Sequence, residues 1–280
     1  MSSIIEVIKK RSSIRTYSNQ EVTKEIKEKI EAEFQTASQS PLGSKVRFQL
    51  VQTTENERQE LKELGTYGVI RGANLFIAGA VGKGLKAMED FGYCMEKIIL
   101  TATGLGLGTC WLGGSLNRST FAKKMSTSAD ELIPAVTPLG YPTEKRNFRD
   151  NTIIALVGSK KRKQFGEIFF EQNLNKPLNM REEEKYFLPL EMVRLAPSAS
   201  NKQPWRIIKE TEYETYHFYL KENRIYNSIF GEIKLQNLDI GIAMCHFELT
   251  AKELGLNGKW EIKDPKFDVG NLIYIASWQG

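Results

Sequence analysis

Two stretches of this chain, 149 residues apart, decide the fold: Asp90-Phe-Gly-Tyr-Cys-Met-Glu-Lys-Ile-Ile-Leu-Thr-Ala-Thr-Gly-Leu-Gly-Leu-Gly-Thr-Cys-Trp111 and Asp239-Ile-Gly-Ile-Ala-Met-Cys-His-Phe-Glu-Leu-Thr-Ala-Lys-Glu-Leu-Gly-Leu-Asn-Gly-Lys-Trp260. Ten of the 22 aligned positions are identical, whereas chance agreement at ordinary composition would be about one or two. Two unrelated amphipathic helices that both end in Leu-Gly-Leu are the alternative explanation. Because the period is too long for a solenoid, the pattern predicts a duplicated unit whose copies pack as a two-fold pseudo-dimer within one chain.

Hydrophobic periodicity predicts both helices and strands on each side of the repeat, and the duplication predicts two closely packed halves, which we place at 1–170 and 171–280. The predicted helices are 4–8, 23–37, 55–64, 86–105, 181–194 and 235–254, with shorter helical pieces at 121–125, 130–132 and 165–170. The predicted strands are 46–52, 74–81, 109–112, 133–139, 151–158, 205–209, 214–220 and 272–278, and one near 260. Residues 173–179, which include Pro177, are predicted to connect the halves.

The composition is that of a globular protein of 280 residues, with 41% hydrophobic and 26% charged residues and a formal net charge of +5. Acidic and basic residues are interspersed, which argues against a nucleic-acid partner. Cys94, Cys110 and Cys245 form no C-x-x-C pair, and this sparse, odd number suits buried free thiols in a reducing compartment. The sequence shows neither a signal-peptide core nor a stretch near twenty apolar residues, so we expect a cytoplasmic protein with no membrane partner.

Two cationic segments are candidate phosphate ligands. Arg11-Ser-Ser-Ile-Arg15 places two guanidinium groups and two hydroxyls within five residues, and these donors fit a phosphate. A solvated helix end is the alternative. Lys160-Lys-Arg-Lys163 is the second cluster, and most runs of this kind are simply exposed.

The segment Pro197-Ser-Ala-Ser-Asn-Lys-Gln-Pro204 joins a predicted helix to a predicted strand. Its prolines fix the backbone, its small side chains admit a flat ligand, and Asn201 and Gln203 can donate and accept hydrogen bonds at the edge of a heterocycle. A stiff turn is the alternative. When the repeat is extended backwards, Ser40-Pro-Leu-Gly-Ser-Lys45 is the counterpart of this loop in the first half.

Other catalytic constellations are missing from the sequence. Gly104-Leu-Gly-Leu-Gly108 ends a predicted helix and precedes a predicted strand, the reverse of a Rossmann phosphate loop, so these glycines are predicted to stop the helix. His217 and His246 are the only histidines and lack metal-ligand spacing, which argues against a zinc site and a histidine base. No side chain is assigned as catalytic, no metal is expected, and the chemistry is assigned to a bound cofactor.

Together these motifs resemble those of the FMN-dependent nitroreductase family, and the duplication resembles its single-chain, TM nitroreductase-like branch. The matching segments are R-x-S-x-R at 11–15, A-P-S-x-x-N-x-Q-P-W at 196–205, the helix end L-G-L-G-x-x-W-x-G-G at 105–114, and Gly140-Tyr-Pro142. The order departs from that of ordinary members, because 40–45 is a degraded copy of the loop and the intact copy lies in the second half, which has no R-x-S-x-R. The resemblance implies an α+β, three-layer nitroreductase fold with mixed β-sheets flanked by helices. It also implies a monomeric pseudo-dimer with one FMN site, where family homodimers have two.

The resemblance also implies three sets of FMN-binding residues. The set expected at the phosphate and ribityl chain is Arg11, Ser12, Ser13 and Arg15, with Lys161 and Arg162 closing over the phosphate. The set expected to flank the isoalloxazine is Pro197, Ser198, Ala199, Ser200, Asn201 and Gln203. The set expected near the reactive N5 and O4 edge is Gly113 and Gly114, where a bulky side chain would block hydride approach.

The activity implied is hydride transfer from NAD(P)H through FMN to an electron-poor small molecule such as a nitroaromatic or a quinone. A flavin-binding protein without turnover, for storage or sensing, is the first alternative, because a fold does not guarantee an activity. A flavin-free interaction protein that kept the scaffold is the second. An α/β protein that uses its glycines only structurally is the third.

Overall fold

The structure is a computed structural model that describes residues 3–57, 70–114, 118–143, 161–228, 231–265 and 267–280. Up to residue 171 the helices are α1 (Ile4–Lys10), α2 (Lys24–Ala37), α3 (Ala87–Gly104), α4 (Arg118–Met125) and α5 (Phe165–Ile168), and the strands are β1 (Val46–Gln52), β2 (Leu75–Gly82), β3 (Glu131–Leu132), β4 (Val136–Leu139) and β5 (Phe169–Glu171). After it the helices are α6 (Phe187–Leu195), α7 (Arg224–Ser228) and α8 (Leu235–Glu253), and the strands are β6 (Trp205–Lys209), β7 (Thr215–Leu220), β8 (Lys259–Glu261) and β9 (Ile273–Gln279).

Two sheets enclose a layer of long helices. In the first sheet, β2 pairs antiparallel with β1 on one side and with β3 and β4 on the other. In the second sheet the strand order is β5-β6-β7-β9-β8, with β5 and β6 parallel and the other neighbours antiparallel. α3 packs against β2, α8 packs against β7, and the two helices pack on each other. The result is a sheet–helix–sheet arrangement with the main core around α3 and α8.

The crossing of α3 and α8 uses the same contact in both copies of the repeat. A Cβ on Gly92 would lie 2.2 Å from the carbonyl oxygen of Leu238, and a Cβ on Gly241 would lie 1.8 Å from that of Glu89. Glu89 and Leu238 occupy equivalent positions of the repeat, as do the two glycines. Since carbon cannot approach oxygen this closely, the crossing requires glycine at both positions. Each half therefore presents the same surface to the other, as in an isologous dimer, and this confirms the predicted pseudo-dimer.

Both helices also end in the same way. Gly106 and Gly255 have φ angles of 82° and 72°, a left-handed conformation that glycine adopts without steric cost. The N–H of the leucine that follows each glycine donates to the carbonyl oxygen of an alanine five residues earlier, at 2.9 Å in both helices. This pattern is a Schellman C-cap. The glycines predicted to stop the first of these helices do so.

Four segments differ from the sequence prediction. Glu131–Leu132 forms β3 rather than a helical piece, and Phe169–Glu171 forms β5 after the single turn of α5. Strands this short are decided by their pairing partner and not by local periodicity. Residues 109–112 form isolated bridges instead of a strand. Helix α6 begins at residue 187 and not 181, because a longer helix would place Pro189 in its interior, where the ring clashes with the preceding turn.

Strand β5 ties the two halves together. It comes from the end of the first half and lies parallel to β6, with Phe169 opposite Ile207. The boundary predicted between residues 170 and 171 falls within this strand, and the division of the chain there stays a prediction. The predicted strand 151–158 and residues 58–64 of the predicted helix 55–64 lie outside the described residues.

The three cysteines, Cys94, Cys110 and Cys245, are buried and free, as predicted. Burial raises the pKa of the Cys94 and Cys245 thiols above the usual range, so these two side chains are poor nucleophiles. In the part of the chain that the structure describes, no helix is long and apolar enough to cross a membrane.

Candidate functional site

The loop between α6 and β6 has an irregular backbone that polar contacts hold in place. Ser200, Asn201 and Gln203 have φ angles of 49°, 53° and 49°, values that cost non-glycine residues of the order of 1–3 kcal/mol each unless the surroundings stabilise them. The Ser198 hydroxyl accepts a hydrogen bond from the Gln203 N–H at 2.9 Å. The fixed shape of the loop therefore depends on side-chain hydrogen bonds as well as on its prolines.

This loop binds residues 161–163 from the end of the first half. The side-chain amides of Asn201 and Gln203 donate to the Lys161 carbonyl oxygen at 2.8 Å and 3.2 Å. The Gln203 side-chain oxygen accepts from the Lys163 N–H at 2.8 Å. The two polar residues predicted to face a heterocycle are thus bonded to protein backbone, and these bonds bring Lys161 and Arg162 to the loop.

Arg162 lies at the centre of a cluster of three arginines. Its guanidinium donates to the Asn201 side-chain oxygen at 2.7 Å and to the Leu195 carbonyl oxygen at 3.0 Å. Burial, followed by the nearby positive charges of Arg11 and Arg194, lowers the pKa of Arg162 to about 10. Burial and like charges both disfavour the charged form of an arginine. We call Arg11, Arg162 and Arg194 the arginine cluster; an anion would be stabilised there.

Arg11 reaches the arginine cluster from α1. Its side chain is 7% exposed and its Nε lies 3.9 Å from Glu96 Oε1. Glu96 is fully buried and also lies against the His246 ring, whose Nε2 is 2.9 Å from Oε1, and accepts the Trp111 indole N–H at 2.7 Å. His246 Nδ1 faces the Met192 carbonyl oxygen at 3.0 Å.

Counted over the described residues, the arginine cluster keeps a net positive charge. Its three guanidinium groups stand against two carboxylates, Glu96 beside Arg11 and Glu191, whose Oε2 lies 2.6 Å from the Nε of Arg194.

A buried carboxyl group lies under the same loop. Asp239 is 3% exposed, its Oδ1 accepts the Ala199 N–H at 2.9 Å, and its Oδ2 has no hydrogen-bond partner among the described residues. Burial raises the pKa of Asp239 to about 8, so the group is mostly protonated at neutral pH. The Tyr226 hydroxyl, whose pKa is raised by burial and then by Asp239, lies 3.2 Å from the Ser200 hydroxyl.

Gly113 and Gly114 are half-buried and follow Leu112, which bridges to Val136. A Cβ on Gly113 would lie 2.9 Å from Leu235 Cδ2 at the start of α8. This predicted site residue therefore also lies where the first half meets the second.

Ser12, Ser13 and Arg15 lie on the first half, directly after Arg11. Ser12 is exposed, whereas Ser13 and Arg15 are half-buried. Ser13 bridges to Thr109, and the Arg15 carbonyl oxygen accepts the Arg71 N–H at 2.8 Å. Among the described residues, no hydrogen bond or ion pair joins these three to the second-half loop. Of the predicted phosphate ligands, the structure brings Lys161 and Arg162 to the loop, and Arg11 lies near enough to Arg162 for its charge to act on it.

Sequence reasoning missed three residues of this site: Glu96, Arg194 and Asp239. Asp239 could have been predicted, because it is an acidic residue in an apolar helical pattern and the repeat pairs it with Asp90. Glu96 and Arg194 could not, since their place depends on how the helices pack.

Comparisons with known proteins address the family and the fold. The family model described as “Putative TM nitroreductase” matches residues 3–251. The crystal structure of a “putative nitroreductase” from Thermotoga maritima matches with a TM-score of 0.62 at 21% identity, covering 99% of this chain and 94% of that one. A “Putative NADH dehydrogenase/NAD(P)H nitroreductase” from Methanothermobacter thermautotrophicus is 28% identical over 156 residues, 52% of this chain and 81% of that protein. The near-complete structural match confirms the three-layer α+β fold predicted from the sequence.

Proposed function

The chain belongs to the nitroreductase family whose model matches residues 3–251, and on that premise we propose that it is an FMN-dependent oxidoreductase. Its reaction is hydride transfer from NAD(P)H to an electron-poor small molecule such as a nitroaromatic or a quinone. The observation that carries the proposal is the hydrogen-bonded contact of residues 161–163 with the second-half loop, in which Arg162 donates to Asn201 at 2.7 Å. This contact supports a site that takes phosphate ligands from the first half and the ring-flanking loop from the second.

The arginine cluster fits the phosphate of FMN. It gathers three guanidinium groups, one of which has its pKa lowered to about 10 by burial and by its two neighbours. Glu191 pairs with Arg194, and Glu96 lies 3.9 Å from Arg11 and 2.9 Å from His246. A phosphate dianion would offset the repulsion among the three guanidinium groups through short charge-assisted hydrogen bonds.

The residues of this chain bind and orient, and they leave one face open. When bound, FMN would supply the two-electron chemistry that the side chains cannot. The loop from Pro197 to Asn201 would flank the ring, and its bonds to residues 161–163 would hold it in register with the arginine cluster. Gly113 and Gly114 would leave room for the hydride donor and the acceptor.

One site per chain follows from the difference between the two loop copies. In the first half, Ser40 donates to the Ser44 carbonyl oxygen at 2.6 Å, and the N–H groups of Leu42 and Ser44 are bound by Asp90 at 2.8 Å each. That loop is closed on its own half. We therefore propose a monomeric pseudo-dimer with a single FMN, acting on small molecules in the cytoplasm.

The cofactor is tested by adding FMN to the purified protein and following flavin fluorescence and absorbance. Arg162→Gln should weaken FMN binding by about tenfold or more, because a charge-assisted hydrogen bond to phosphate is lost. Arg181→Gln is the matched control, since its side chain is 85% exposed, and it should bind like the wild type. A chain that binds no FMN after reconstitution would overturn the proposal.

Turnover is tested by following NADH and NADPH consumption with nitrofurazone or menadione as acceptor. Steady consumption over many equivalents of enzyme supports the oxidoreductase. A single stoichiometric bleaching of the flavin, with no further consumption, would instead support the flavin-binding protein without turnover.

A further inference from the structure

A second cationic surface lies on the other side of the segment that carries Arg162. The charges of Arg11 and Arg194 act on Arg162, whereas those of Arg206 and Lys221 act on the next residue, Lys163. The side chains of Arg162 and Lys163 therefore lie among different groups of cations. An open cleft of about 530 Å³ lies on the Lys163 side, and its charged lining residues are Lys163, Lys202, Arg206, Lys221, Glu222 and Arg224. We call it the Arg206 cleft.

Arg206 is the most buried cation of the cleft, at 7% exposed. Its Nη1 donates to the carbonyl oxygens of Gln203 and Trp205 at 3.2 Å and 2.6 Å. Among the described residues no carboxylate forms an ion pair with it, and burial lowers its pKa, against a weaker opposing effect of Glu167. Two carbonyl dipoles compensate a buried positive charge only in part.

Arg47, on a strand of the other sheet, shows how this chain treats a structural cation. Arg47 is the second residue of β1, as Arg206 is the second residue of β6. Arg47 forms a bidentate ion pair with Glu131, at 2.7 Å and 2.8 Å. The hydrogen bonds from Arg47 lower the pKa of Glu131 to about 2, and the pKa of Arg47 is raised. The pKa of Arg206 is shifted in the opposite direction, because Arg206 has no such partner.

Lys163 adds a second poorly compensated charge. Burial, then the charges of Arg206 and Lys221, lowers the pKa of Lys163 to about 8, and only Glu167 acts to raise it. Among the lining residues, five cations stand against one carboxylate, Glu222, which lies 3.7 Å from the Nε of Arg224. Of these five cations only Arg206 is buried. Since a buried charge is normally paired, an anion in the cleft would complete the pairing of Arg206.

We propose that the Arg206 cleft binds a phosphate dianion, either free or carried by a nucleotide, at a site separate from the arginine cluster. The planar donors of Arg206 and the point charge of Lys163 suit phosphate oxygens. A cleft of this size admits a nucleoside as well as its phosphate. The site does not depend on bound FMN, because none of its cations belongs to the arginine cluster.

The test is isothermal titration of the full chain after it has been loaded with FMN and freed of unbound FMN by gel filtration. The arginine cluster is then filled, and no free flavin phosphate competes for the Arg206 cleft. Inorganic phosphate, adenosine 5′-monophosphate and adenosine 2′,5′-bisphosphate are the three probes. Arg206→Gln should weaken the probe that binds best by about tenfold or more. Lys163→Gln, at a half-buried position, is the second variant in case Arg206→Gln fails to fold, and Arg181→Gln is the control that should leave binding unchanged.

The probes separate the two sources of the phosphate group. Tighter binding of a nucleotide identifies a nucleotide phosphate as the ligand, and equal or tighter binding of inorganic phosphate identifies the free ion. Absence of binding by the wild type, or equal binding by wild type, Arg206→Gln and Lys163→Gln, overturns the proposal. Loss in Arg11→Gln with none in Arg206→Gln also overturns it, since the anion then occupies the arginine cluster. These outcomes can be read whether or not the protein turns over NAD(P)H.

Discussion

The loops before β1 and β6 are held by equivalent aspartates of the repeat, Asp90 and Asp239, in different ways. Asp90 accepts the N–H groups of Leu42 and Ser44, one on each oxygen, at 2.8 Å. Asp239 accepts only the N–H of Ala199, and its second oxygen has no partner among the described residues. The first loop is closed by bonds within its own half, whereas the second turns its amide side chains to residues 161–163.

The difference shows what each copy contributes. The parts that hold the halves together are the same in both, namely the crossing glycines and the helix C-caps. The parts expected to bind FMN are complementary, because Arg11 and Arg162 come from the first half and the intact loop comes from the second. A pseudo-dimer with a single site requires both features, namely equivalent packing between the halves and loops that differ between them.

The largest loss of stability is expected at the helix crossing, where both halves make the same glycine contact. Gly92→Ala and Gly241→Ala each force a methyl group onto a backbone carbonyl, and each should lower the free energy of unfolding by about 3 kcal/mol in chemical denaturation. Gly104→Ala is the matched control, because its Cβ would meet only Val7, at 3.6 Å, and it should be neutral or slightly stabilising. If only one of the two substitutions caused a large loss in the free energy of unfolding, the two halves would not contact each other in an equivalent way.

The second prediction is that replacing Asp90 and replacing Asp239 change the free energy of unfolding in opposite directions. Asp90→Asn should lower the free energy of unfolding by about 1–3 kcal/mol, because its amide nitrogen would face one of two backbone N–H groups. Asp239→Asn keeps an oxygen for Ala199 and removes a carboxyl group that is costly to ionise, so at neutral pH it should stabilise the protein. Urea denaturation of both variants measures the contrast, and an equal loss in both would show that the two loops are held alike.

The smallest expected effect is a pH dependence of the stability difference between the wild type and Asp239→Asn. The folded-state pKa of Asp239 is raised to about 8 from an ordinary value of 3.8, so the folded protein retains a proton that the unfolded chain releases. The stability that Asp239 contributes is complete below its unfolded pKa and is lost as the pH rises through the folded pKa. Between about pH 7 and about pH 8 the wild type should lose about 1 kcal/mol relative to Asp239→Asn. A constant difference between the two proteins would show that the carboxyl group is not protonated in the fold.

The sequence predicted the features that depend on local pattern or on the repeat. The long helices, the helix-stopping glycines and the strands at residues 46–52 and 205–209 follow from periodicity and turn chemistry, and the pseudo-dimer follows from the duplication. Strands β3 and β5 were missed because each has only two or three residues and exists through its partner. Arg194 and Glu96 were missed because their nearness to Arg162 and Arg11 arises from helix packing, which no local pattern encodes.

The central claim is that two unequal halves build one FMN site, and the number of FMN molecules bound per chain tests it most directly. Equilibrium titration of the 280-residue chain with FMN, with protein concentration fixed by amino-acid analysis, should give one FMN per chain. Two FMN per chain, unchanged in Arg206→Gln, would show that the first-half loop also forms a site. No bound FMN would show that the arginine cluster and the second-half loop do not bind flavin.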